Sequence, residues 1–118
     1  MKTWNSHREM VSEIHKKSIE DLKGLDAGKV NIWHAATGIA TEAGELLSSI
    51  KAIVIYNKPM DLDNIIEELG DLEFYMEHLR QELMITRNEV IAHNMEKLGK
   101  RYKDGYSDKA AQEREDKK

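Results

Sequence analysis

Two pairs of acidic residues, Glu42/Glu45 and Glu68/Asp71, each three positions apart, are separated by 22 residues. Residues three apart on a helix are neighbours on one face, so each pair can aim both carboxylates at one object. Apolar residues at helical period surround both pairs. Set at ~100° per residue, Ile39, Ala43, Leu46, Ile50 and Ile53 form one stripe. Ile65, Leu69, Leu72, Met76, Leu79 and Leu83 form the other. Glu42 and Glu68 take the edges of these stripes; Glu45 lies ~60° further round, and Asp71 stands in the same relation to Glu68. Two such helices packed together bring four carboxylates to one place.

Converging carboxylates repel, and burying a bare one costs several kcal/mol. They can protonate, recruit cations, or bind metal. One Glu-x-x-Glu on a charged helix is ordinarily a solvated face; two pairs at equal offset turn the reading toward a metal. The donors are all oxygen and the chain has no cysteine, which suits a hard cation such as Mg²⁺, with Mn²⁺ as a substitute.

The segment His34-Ala-Ala-Thr-Gly-Ile-Ala-Thr-Glu-Ala-Gly-Glu-Leu-Leu, then Tyr56-Asn-Lys-Pro and Glu67-Glu68-Leu-Gly-Asp71-Leu, resembles the MazG-like nucleoside triphosphate pyrophosphohydrolases. These form an all-α superfamily whose signature is an ExxE and an ExxD pair. Asn94-x-x-Lys97-Leu-x-x-Arg101-Tyr102, followed by Asp104-Gly-Tyr-Ser107, is similar to that family's closing motif. The resemblance implies a Mg²⁺-dependent enzyme on which water attacks the α-phosphorus of a nucleoside triphosphate, releasing the monophosphate and pyrophosphate. Glu45, Glu68 and Asp71 are then metal ligands, and Glu42 shares ligation and serves as general base. The resemblance also makes Trp33 and His34 nucleoside contacts. Tyr75 lies ~40° from Asp71 on the acidic side, where it can stack on a base. Asn94, Lys97 and Arg101 form a donor stripe beside the fourth helix's apolar face, and with the closing motif this points to phosphate contact.

Charge and composition narrow the class. Net charge is −4, and residues 107–118 hold four acids and four bases, so the whole deficit sits in residues 1–106. An acidic domain makes a poor nucleic-acid binder. We expect one all-α domain over 1–106 and a charged, frayed tail over 107–118, with a short helical turn through Ala110 and Ala111. No apolar run reaches the ~18 residues of a membrane span, and the N-terminus lacks a secretory apolar core. With no cysteine, the expected compartment is the cytoplasm.

Element signals predict a four-helix bundle-like protomer. Ser6 with Glu9 starts a helix over 6–22, its inner face marked by Val11, Ile14, Ser18 and Leu22. Asn31 caps a second over 32–55, Asp61 a third ending near Glu82, and Thr86 with Glu89 a fourth whose core stripe is Ile91, Met95, Leu98 and Tyr102. Gly38 reads as a packing accommodation, whereas Gly44, between two acids, leaves room for a ligand or another helix. Trp33 and Phe74 remain as apolar surface, which implies a homodimer or homotetramer. A ferritin-type dimetal oxidase is disfavoured because no Glu stands three residues before any His. The remaining alternative is a non-catalytic helical interaction module with structural acidic clusters.

Overall fold

Residues 1–15 and 24–118 are described by a computed structural model, which holds five α-helices and no strand among them. The chain is all-α, as expected.

Helix α1 (His7–Ile14) starts where Ser6 accepts from the Glu9 amide at 3.1 Å. The Glu9 carboxylate closes on Asn5 N–H at 2.7 Å, one residue ahead of the expected box. The helix is shorter than predicted, because the backbone turns extended at His15; Ser18 and Leu22 lie outside the described residues. Helix α2 (Ala27–Val54) begins earlier than predicted. Asp26, not Asn31, is its cap, accepting from the Lys29 amide at 2.8 Å. A carboxylate facing a free N–H three residues on satisfies an orphan donor and favours the positive helix end.

The connection to α3 (Leu62–Leu83) is tight. Asn57 adopts the left-handed conformation (φ 51°), and the Lys58 amide donates back to Ala52 O at 3.1 Å. Asp61 caps α3 through the Asn64 amide, as predicted. The Asn64 side chain reaches across to α2 and donates to Ser49 Oγ at 2.6 Å. From that clasp the two helices run antiparallel. Glu42 faces Glu68 and Asp71, Gly38 faces Tyr75, and His34 faces Tyr75 and His78. The core lies along this seam, where Ala35 is fully buried and Gly38 is buried beneath the Tyr75 ring. Arg80 is also buried and is held by Glu77 at 2.7 Å.

Met84, left-handed at φ 56°, ends α3. Helix α4 (Arg87–Arg101) opens on the predicted capping box of Thr86 and Glu89. It packs on α5 (Asp108–Glu113) and on a short 3-10 turn, Glu115–Lys117. The stripe expected to enter the core is therefore largely on the surface: Ile91, Met95 and Leu98 are exposed, and Tyr102 is half-buried. The tail carries the expected helical turn through Ala110 and Ala111 as α5, but instead of fraying it folds back, and Asp116 is gripped by Arg101 through Nε at 2.8 Å and Nη2 at 3.3 Å.

Much apolar surface stays uncovered, including Trp33 (70%), Leu47 (67%) and Phe74 (66%). The radius of gyration, 20.3 Å, exceeds the ~13.5 Å of a compact chain of this length.

Candidate functional site

The seam between α2 and α3 gathers the acids that the sequence singled out. One carboxylate oxygen each from Glu42, Glu68 and Asp71 lie within 4.8 Å of one another. Helical period accounts for this. Glu68 and Asp71 are one turn apart on α3, and the Ser49–Asn64 clasp sets the register that brings Glu42 opposite them. Glu42 and Glu68 are half-buried and Asp71 is exposed. Glu45 stands outside this trio, exposed, yet near enough for its charge to act on Glu68.

The electrostatics converge on Glu68. Partial burial holds its carboxyl above the ordinary value; the Glu45 charge, the side-chain hydrogen bond with Glu42, and the charges of Glu42 and Asp71 push the same way. Every charge acting on it is acidic. A divalent cation placed among these acids would offset the repulsion that raises Glu68. Three oxygen donors from two rigid helices, with one flank open, fit a hard cation that retains water ligands.

Two regions extend from the trio in opposite directions along the seam. Toward the helix connection lies a groove of about 480 Å³ lined by Glu45, Ser48, Ser49, Lys58, Asn64 and Glu68. Toward the other end lie the aromatic residues. His34 meets Tyr75 edge-on with ring centroids 6.0 Å apart, and meets His78 at 6.2 Å. Tyr75 also stacks edge-on against Phe74 at 5.2 Å. His34 and Tyr75 are thus brought together; Trp33, the neighbour of His34, makes no ring contact with them and is 70% exposed.

His78 was missed by sequence reasoning. It continues the α3 stripe Glu68, Asp71, Tyr75, and its Nε2 lies 3.4 Å from Glu82. Extending the acid stripe by two further turns would have found it.

The expected phosphate contacts sit elsewhere. Asn94, Lys97 and Arg101 belong to α4, whose packing is against the tail. Lys97 shares a shallow groove with His93, Lys100 and Asp116. The Arg101 guanidinium is engaged by Asp116, and the pair is shielded, with side-chain exposures of 14% and 4%. That hydrogen bond pulls the Asp116 carboxyl below its ordinary range and raises Arg101.

No helix among the described residues is long and apolar enough to cross a membrane. Comparison with curated proteins and with solved structures returned no match. A family model does match: the MazG nucleotide pyrophosphohydrolase domain, over residues 34–106, more than half of the chain.

Proposed function

The chain belongs to the MazG nucleotide pyrophosphohydrolase domain family, and from that premise we propose that it hydrolyses nucleoside triphosphates to the monophosphate and pyrophosphate in a Mg²⁺-dependent reaction. The observation that carries this reading is the meeting of Glu42, Glu68 and Asp71 within 4.8 Å across two helices.

Glu42, Glu68 and Asp71 hold the metal, with Glu45 completing the donor set, and Mn²⁺ can replace Mg²⁺. The bound ion supplies charge neutralisation of the phosphates and Lewis-acid polarisation. The chain's own residues do the rest. Glu42, beside the apolar seam, accepts a proton from the attacking water; the water oxygen bonds to the α-phosphorus, and the bridging oxygen leaves with pyrophosphate. His34 and Tyr75 border the nucleoside, with Trp33 closing over it from the exposed side. Asn94, Lys97 and Arg101 contact phosphate only when α4, from the same chain or a neighbour, faces the acids. Arg101 must then exchange Asp116 for substrate.

The exposed faces of α2 and α3 support assembly as a homodimer or homotetramer, since an apolar surface of this kind seeks a partner. The net negative charge supports a free nucleotide rather than a nucleic-acid polymer as substrate. We place the enzyme in the cytoplasm, which accords with its lack of cysteine.

The test is a screen of all canonical NTPs and dNTPs, guanosine tetraphosphate and damaged nucleotides with Mg²⁺. Products are separated by anion exchange. Monophosphate with pyrophosphate is the expected pair; diphosphate with orthophosphate would reject attack at the α-phosphorus, and no turnover would reject the activity.

A further inference from the structure

The groove beside the acids carries a cation that no role described so far uses. Lys58 lines it together with Glu45, Ser48, Ser49, Asn64 and Glu68. Its position is set by the backbone: left-handed Asn57 bends the chain, the Lys58 amide is fixed to Ala52 O, and Pro59 follows. Proline removes one donor from the turn and restricts Lys58 to extended geometry. A side chain on such a turn projects from a fixed base while its ammonium stays mobile.

The Lys58 charge is not spent on its acidic neighbours. Lys58 forms no ion pair among the described residues. An ammonium without an ion-pair partner, in a groove that it shares with Glu45 and with Glu68 of the candidate metal cluster, is complementary to a metal-bound polyphosphate. The metal takes some phosphate oxygens and the ammonium takes others. The opposite end of the seam gathers the rings of His34, Tyr75 and His78, and Arg80 beside them is engaged by Glu77. Arg101, the other cation expected to hold phosphate, is occupied by Asp116.

We propose that Lys58 is a phosphate-binding residue. It holds the β- and γ-phosphates that depart as pyrophosphate, so that the substrate lies along the α2–α3 seam with its phosphate tail toward the helix connection and its base toward His78. This deepens the proposed hydrolase reading and rests on it for the word substrate. The binding claim itself concerns a polyphosphate anion.

The experiment compares the full-length protein with Lys58→Met and Lys58→Arg in two measurements, both with Mg²⁺. The first is calorimetric titration with inorganic pyrophosphate; the second is steady-state kinetics over the nucleotide panel. Lys58→Met should weaken pyrophosphate binding at least tenfold. It should lower kcat/KM by a similar factor for every nucleotide, leaving the ranking of bases unchanged, and Lys58→Arg should restore most of both. Unaltered pyrophosphate affinity in Lys58→Met overturns the proposal. So does a loss confined to some bases, or an equal fall in melting temperature in both variants, which marks a structural turn residue. If the wild type turns over no nucleotide yet binds pyrophosphate through Lys58, the hydrolase reading fails and the anion site stands. Normal turnover by Lys58→Met rejects the site and leaves the hydrolase reading intact.

Discussion

Tyr75 fills the space above Gly38 so closely that a Cβ at position 38 would collide with its ring. Gly44, two turns nearer the connection, has nothing within 4 Å of the equivalent point. The two glycines of one helix therefore answer the same substitution with opposite sign. Gly38→Ala should destabilise by about 1–3 kcal/mol through overpacking. Gly44→Ala should gain up to about 1 kcal/mol of helix propensity. Urea denaturation of both variants checks this; a Gly38→Ala protein as stable as the wild type would mean that the seam is not packed as described.

Metal binding should stabilise the native chain. A cation bound only by the folded state raises Tm by mass action, at RT ln(1 + [Mg²⁺]/Kd). Relieving the crowding by Glu42→Gln or Asp71→Asn should raise Tm of the metal-free protein while abolishing both turnover and the Mg²⁺-induced shift. Scanning calorimetry with and without EDTA measures each effect. Wild-type activity in both variants would remove the metal assignment.

Glu68 gives the metal-free protein a specific pH dependence. Its folded carboxyl titrates above the ordinary 4.5, so between those two values the folded state binds more protons than the unfolded one. Stability must then fall as pH rises through that window and level off above it. Asp116 and Glu77 are lowered, chiefly by hydrogen bonds from Arg101 and Arg80. Their stabilisation is full above the ordinary carboxylate range and is lost as pH falls through their depressed values. In EDTA, Glu68→Gln should flatten the slope on the alkaline side of the ordinary carboxylate value and leave the acid limb unchanged. An unchanged profile would show that the crowding does not reach Glu68.

The Arg101–Asp116 pair separates structure from catalysis. Arg101→Ala and Asp116→Asn should lower Tm by similar amounts, because either change breaks the same tail closure. Only Arg101→Ala should also cut kcat/KM, by at least tenfold. Equal kinetic losses in both variants would make the pair purely structural.

Phe74 is 66% exposed on α3. If the exposed faces associate, Phe74→Glu should shift the protein to a smaller species in light scattering at micromolar concentration. A wild-type monomer under those conditions would refute the oligomer.

Local chemistry made much of this legible in the sequence. The caps at Ser6, Asp61 and Thr86 are short-range, and the matched offset of the acid pairs from their apolar stripes survives as the Glu42–Glu68–Asp71 cluster. Gly38 was readable as a packing glycine, although its partner Tyr75 was not. What escaped was long-range. Asp116 finds Arg101 from 15 residues away, through a tail whose charge density alone reads as frayed. The α4 stripe was read as core because its period is helical; period reports an apolar face without saying what covers it. Residue type alone ranks Asn31 as a cap, whereas Asp26 also satisfies the Lys29 amide.

The closure of the tail onto Arg101 bears on how the chain should be handled at the bench. A version shortened to end at Tyr106 would keep both acid pairs, the seam and Lys58, yet strip a guanidinium of its counter-ion. Such a protein would acquire an anion-binding spot that the longer chain keeps masked. Tighter phosphate or heparin retention by the shortened form would then report an unmasked Arg101, not the affinity of the longer chain.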